Sequence, residues 1–283
     1  WAWGHEPACL AQALLDGRGY SDPWGKGTGA SSWLTPPYPL LLAGLLRAFG
    51  GVNAASALAL HVVHALFSAA TCVLLVDLGR RWFSSRVGWL AAWAWALYPI
   101  AISNSAQLVW DTTLVAFALT AFLCVLARDD GSPRWALVSG VSFGVLLFLN
   151  PAPMSLAPLA ALWLVRRASP LRERVQRVAL FAFASFAAVA PWMARNQAVL
   201  GAFTLRPNLG VELRIGNHAE ATGRPVAFRY HPSHIASELA LYRQLGEVEY
   251  SRENRGRALD WMAAHPLDFA VLTAKRVALF WIC

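Results

Sequence analysis

Charge is scarce in this chain. Only 14% of its 283 residues are Asp, Glu, Lys or Arg, while 57% are hydrophobic. A soluble globular domain carries about 25% charged residues, and a chain this apolar cannot cover its own surface with polar groups. That excludes a soluble globule. Cysteine is nearly absent as well: Cys9, Cys72, Cys124 and Cys283 are far apart and show no Cys-x-x-Cys spacing. This argues against a disulfide framework or a zinc site. A Walker-type phosphate loop is also missing, which removes the usual cradle for a nucleotide.

What is present is a series of long apolar runs separated by basic breaks. The net charge of +8 would suit a nucleic-acid partner, but the Arg residues lie in short connections between the runs, the pattern of cytoplasmic membrane loops. A spanning helix needs about 20 apolar residues. Val52–Val76, Val87–Ser103, Leu108–Ala127 and Val178–Ala194 fit, and Phe269 onward begins another. Trp135–Leu149 and Ala152–Val165 are shorter and flank Asn150-Pro151-Ala152-Pro153. They read as two thin crossings or one hairpin, and either returns the chain to the same side.

Arg80, Arg81 and Arg86 share one connection, Arg128 and Arg134 another, and Arg166, Arg167, Arg172, Arg174 and Arg177 a third. The opposite short connections, around Asn104 and Asn150, carry no Lys or Arg. The positive-inside rule makes the basic loops cytoplasmic. Pro37–Phe49 is too short to cross, so it is expected as a juxtamembrane helix. Residues 1–51 then form an outer loop and 52–194 a transmembrane bundle. Residues 195–268 form an extracytoplasmic segment, and 269–283 start a further helix. The chain reads as a fragment, since Trp1 is not an initiator Met and Cys283 stops inside an apolar run.

The outer segment is solvated, with nine basic and eight acidic residues between Arg195 and Asp268. Ile235, Leu239, Tyr242 and Leu245 recur at helical spacing after Pro232-Ser233, and Leu259 and Met262 suggest a second helix ending before His265-Pro266. His231, His234 and Glu238 match no strong metal motif, so a helix-start turn is the preferred reading there. His61 and His64 share a helix face and read as buried hydrogen-bond partners.

A few polar residues are candidates for chemistry. Asp111 is alone within a long uncharged stretch, and charges at membrane depth are costly; a helix-end cap explains it equally well. Glu6, at the outer face, is a candidate general base, with a carboxylate facing a helix dipole as the plainer reading. Lys26 lies among glycines and Arg195 ends a span on the outer side. With Arg206 in Leu205-Arg206-Pro207-Asn208, these are candidates to hold a lipid phosphate.

Taken in order, several motifs resemble a known family. They begin with Gly17-Arg18-Gly19-Tyr20-Ser21-Asp22-Pro23 and Thr35-Pro36-Pro37-Tyr38-Pro39. Val109-Trp110-Asp111-Thr112, Leu149-Asn150-Pro151 and Ala190-Pro191-Trp192 with Arg195-Asn196 follow. Asn208-Leu209-Gly210-Val211-Glu212, Gly216-Asn217, Leu245-Gly246-Glu247 with Tyr250, and His265-Pro266 with Phe269 complete the set. Together they are similar to GT-C glycosyltransferases, in the bacterial branch related to protein O-mannosyltransferases and lipid A aminoarabinose transferases. The likeness covers essentially the whole chain.

The resemblance implies an all-α polytopic membrane protein in the inner membrane. Its GT-C-like helix bundle would carry juxtamembrane helices in the first outer loop and a small outer helical segment. It implies transfer of a sugar from a polyprenyl-phosphate carrier to a glycan, lipid or protein acceptor at the extracytoplasmic side, with inversion. Glu6 matches the base of such enzymes, although relatives often place two acids where this chain has His5-Glu6. Asp111 matches a position often held by Glu, and Asp22 and Asn217 fall at substrate contacts. No cofactor is expected; a divalent metal is possible but unsupported by any ligand set. The alternative is a transporter or lipid-sugar flippase, which would want a counterpart in another half for the Asn150-Pro151 break.

Overall fold

The computed structural model describes residues 5–166, 170–224 and 229–282. Expectations resting on Trp1-Ala2-Trp3-Gly4, Arg167, Cys283 or the side chain of His5 lie outside the described residues. Among the described residues the fold is all-α, with no strand. The N-terminal stretch contains α1 (His5–Leu15) and α2 (Pro37–Ala48). The central region runs through α3 (Ala54–Trp82), α4 (Ser85–Ala96), α5 (Pro99–Ala106), α6 (Thr112–Ala127) and α7 (Pro133–Leu149). A 3-10 turn (Ala152–Leu156), α8 (Ala157–Val165) and α9 (Leu171–Leu200) complete it. The final part holds α10 (Leu209–Gly216), α11 (Ala236–Leu245), α12 (Glu247–Ala264) and α13 (Pro266–Ile282).

Local chemistry sets the breaks. Asn53 and Ser56 form a reciprocal capping box that starts α3, and Gly201 ends α9 at φ 70. Val87–Ser103, expected as one span, is divided. Tyr98 precedes Pro99 and is pushed out of the helical region, to ψ 116, so α4 and α5 are separate helices. Pro37–Phe49 is a short helix, and it buries Tyr38, Leu42 and Leu46 against its neighbours.

The central helices pack as membrane helices do. Gly140 and Gly144 on α7 form a Gly-x-x-x-Gly face, and α9 lies directly upon it. A Cβ at Gly140 would sit 2.5 Å from the Phe181 carbonyl oxygen, and one at Gly144 2.6 Å from the Ala188 Cβ. Small residues let helix backbones approach where lipid offers no hydrophobic drive. Phe122, Phe143, Leu146, Leu164 and Phe181 fill the core between these helices.

Two helices, Ala54–Trp82 and Leu171–Leu200, are long and apolar enough to cross a membrane, yet only 28% of the most apolar window of each is buried in the protein. A core helix of a soluble domain would be mostly covered. Instead Leu58, Val62, Leu66 and Val73 on α3 and Phe183 on α9 point outward, an apolar face of the kind that needs lipid or a partner.

One basic residue counted among the loop charges is not in solvent at all. Arg177 on α9 forms an ion pair with Asp129, just beyond α6, and both are buried. It joins the α6–α7 connection to the foot of α9.

The outer layer has its own core. Leu10 of α1, Trp33 of the first outer loop, Val211 of α10, Tyr242 of α11 and Tyr250 of α12 pack together. The late helices therefore close over the first loop, although more than 170 residues separate them in sequence. That closure assembles the candidate site.

Candidate active site

Glu6 and His231 meet where α1 packs beside the turn before α11. Glu6 lies in the first turn of α1, with 13% of its side chain exposed and Nε2 of His231 3.8 Å from its carboxylate. The His231 ring is wedged edge-on against Trp24, with centroids 4.8 Å apart, and against Trp33 at 5.8 Å. The 231–234 turn does precede α11, as the helix-start reading has it. It also delivers a histidine to Glu6, which the local sequence could not reveal. Among the described residues no group of three or more His, Cys, Asp or Glu side chains is placed to hold a metal ion.

Asp111 stands at the start of α6 and is 8% exposed. Its Oδ2 accepts a hydrogen bond from the Asn150 amide at 3.0 Å. Asn150 reaches it because the chain breaks after α7 at Asn150-Pro151. Asp111 also lines a cavity of ≈ 10 Å³ with Pro7, Thr35 and Tyr38, room for about one water. Pro7 follows Glu6, so the two candidate carboxylates belong to one neighbourhood. The Tyr38 hydroxyl is 3.2 Å from His64 Nε2, and His61 Nδ1 is 3.1 Å from the Ser105 carbonyl; the paired histidines are hydrogen-bonded residues.

The two arginines differ. Arg195 donates to the Ser31 and Tyr20 carbonyls at 2.7 and 3.1 Å and lies over the Trp192 ring. It staples the first outer loop to the end of α9. Arg206 donates through Nε to the Trp33 carbonyl at 2.7 Å and borders a groove of ≈ 840 Å³. Leu147, Met154, Val189, Met193 and Phe203 wall this groove, and Asn150, Arg206, Asn208 and Glu212 are among its polar lining. Burial lowers the Arg206 pKa from its ordinary value, while the negative charge of Asp111, Glu212 and Glu247 opposes that shift. Asn150, which donates to Asp111, lines the same groove as Arg206.

The remaining candidates are placed as follows. Asp22, in the left-handed region at φ 61, accepts the backbone N–H groups of Gly27, Thr28 and Gly29 through Oδ1 and pairs with Arg18 through Oδ2. Its carboxylate is occupied in shaping the Gly-rich turn. Lys26 is exposed on that turn. Asn217 caps α10 by donating to the Leu213 carbonyl at 2.7 Å and accepts from Arg276 of α13 at 3.2 Å, well tied into the outer layer.

Glu247 was visible in the sequence only as part of a motif. Its buried carboxylate accepts from the Ser31 hydroxyl at 2.5 Å, the Ser32 N–H at 2.7 Å and hydroxyl at 3.1 Å, and the Tyr242 hydroxyl at 2.8 Å. Burial raises its pKa, with the four donors pulling the other way. It locks α12 to the loop that carries Trp33.

No curated protein and no solved structure matches the chain. One protein family does, over residues 35–193. That stretch is more than half of the sequence and holds Asp111 and Asn150, while Glu6, Arg195, Arg206 and the outer helices lie beyond it. By this match the chain belongs to the family of dolichyl-phosphate-mannose-protein mannosyltransferases, membrane glycosyltransferases of the GT-C type.

Proposed function

We propose that the protein is a multi-pass membrane enzyme that moves a sugar from a polyprenyl-phosphate carrier to an acceptor hydroxyl at the extracytoplasmic face. The observation that carries this reading is the groove that Arg206 lines. Its apolar walls suit an isoprenoid chain, and its polar lining includes Asn150, which donates to Asp111. A donor held in the bilayer would enter sideways, with its phosphate against Arg206 and its sugar toward Asp111 and Glu6.

The chemistry needs few groups. The acceptor oxygen attacks the anomeric carbon as the bond to phosphate breaks, and polyprenyl phosphate leaves with the electron pair. The acceptor proton passes to the Glu6 carboxylate. Attack opposite the leaving group inverts the centre. Arg206 would stabilise the charge growing on the departing phosphate, and Asp111, oriented by Asn150, would accept a hydrogen bond from a sugar hydroxyl. Trp24 and Trp33 exclude water from this corner and limit donor hydrolysis.

Because the family is described by dolichyl-phosphate mannose, polyprenyl-phosphate mannose is the donor to try first, with peptide, glycan and lipid acceptors in parallel. In membranes carrying the protein, Glu6→Gln should abolish consumption of the donor that the wild type uses, with membrane insertion unchanged. Full activity in that variant would remove Glu6 from the mechanism.

A further inference from the structure

His231 is 7% exposed and comes from the outer segment, beyond the family match and far in sequence from Glu6. Its Nδ1 accepts the Ser233 backbone N–H at 3.4 Å and lies 2.5 Å from the Ser233 hydroxyl oxygen. A backbone N–H cannot accept, so Nδ1 is the acceptor of the neutral ring, and the hydrogen sits on Nε2. Which nitrogen carries the proton is set by what the other one bonds. Nε2 is the atom that faces Glu6, 3.8 Å from its carboxylate. The Ser233 oxygen in turn lies 2.6 Å from His234 Nδ1, which can donate to it.

From this arrangement we infer that His231 is a positioning residue for the base: its Nε2 edge lies 3.8 Å from the Glu6 carboxylate, a polar contact longer than a hydrogen bond, and keeps that carboxylate turned toward the acceptor. The inference rests on the reading of Glu6 as the base. Ser233 fixes the tautomer, and Trp24 and Trp33 fix the ring plane. His231 reaches Glu6 from the turn before α11, so the seating of that turn against α1 is what places it there. Glu6 faces the imidazole from α1, and His234 lies beside it on its own turn.

The test uses the full-length protein in lipid nanodiscs with ¹⁵N-labelled histidine, the His231 signals being those lost in His231→Gln. In the wild type the neutral ring should show the Nε2–H tautomer. Glu6→Gln should move the His231 Nε2 chemical shift, because that edge of the ring faces the carboxylate. Ser233→Ala should weaken the tautomer preference. An Nδ1–H tautomer, or an Nε2 shift unmoved in Glu6→Gln, overturns the inference.

Activity then separates the two levels. His231→Leu should lower kcat by about 10²-fold with donor KM unchanged, a general-base-sized effect. His231→Gln, whose amide N–H can take the place of Nε2–H, should recover most of that loss. If Glu6→Gln is inactive while a folded His231→Leu is fully active, the inference falls and the base reading stands. If Glu6→Gln is active, the base reading itself falls.

Discussion

Asn150 donates its side-chain amide to Asp111 across 3.0 Å, binding the break after α7 to the start of α6. The Asn150-Pro151 interruption is therefore more than a helix stop. It turns an amide toward a buried carboxylate at the rim of the groove. Removing the amide in Asn150→Ala leaves that carboxylate short of a donor, which should destabilise the protein by about 1–3 kcal/mol. Thermal unfolding in detergent, together with donor consumption, checks this. Activity should fall by more than stability does, because Asp111 loses its orientation as well as its partner.

Glu247 makes stability depend on pH. Burial holds its folded pKa above the ordinary 4.5. A group raised in this way contributes stability that is fully present below its unfolded pKa, and that contribution is lost as pH rises through the folded one. The wild type should therefore lose stability from about pH 4.5 upward, to the extent that Glu247 controls it. Glu247→Gln carries no charge and should flatten this dependence. Melting curves of both proteins across that range decide the matter, and parallel curves would assign the dependence to other groups.

Much of the helical scaffold was legible in the sequence because apolar runs, Pro and Gly act locally. The short helix at Pro37, the helices after Pro232-Ser233 and around Leu259, and the break at Asn150 all follow from residues close to them. The division of Val87–Ser103 was also local, since Tyr98-Pro99 cannot continue a helix undisturbed, but the continuous apolar content hid it. Arg177 was misplaced for a different reason. A basic residue beside an apolar run scores as a loop charge whether it meets water or Asp129. The site was less legible still. His231 reaches Glu6, and Glu247 reaches Ser31, only through closure of the outer layer, and spacing along one chain carries no record of that.

The α7–α9 contact leaves no room for side chains at two positions. Gly144→Leu must displace Ala188 and the Ser185 backbone, which lie 2.6–3.1 Å from the added Cβ. Overpacking of this kind costs typically about 1–3 kcal/mol, and a backbone neighbour relaxes less than a side chain. The groove wall at Ser185 and Val189 belongs to the same stretch of α9, so the helix shift should also distort the groove. Size-exclusion profiles should show reduced recovery of monodisperse protein, while Gly256→Ala, at an open position of α12, should behave as wild type.

Arg195 and Arg206 should separate cleanly in kinetics. Arg195 spends its guanidinium on the Ser31 and Tyr20 carbonyls and the Trp192 ring, whereas Arg206 gives its Nε to the Trp33 carbonyl and lines the groove. Arg206→Gln should raise the donor KM by about 10-fold or more, since a charge-assisted bond to phosphate contributes about 1.5–3 kcal/mol. It should also lower kcat if the charge grows on the leaving group during transfer. Arg195→Gln should act mainly on stability, loosening the first outer loop and lowering the melting temperature with donor KM little changed. Initial rates over a range of polyprenyl-phosphate mannose concentrations, measured beside unfolding curves, distinguish the two. The opposite pattern, with Arg195 governing KM and Arg206 only stability, would move the phosphate from the groove to the loop above it.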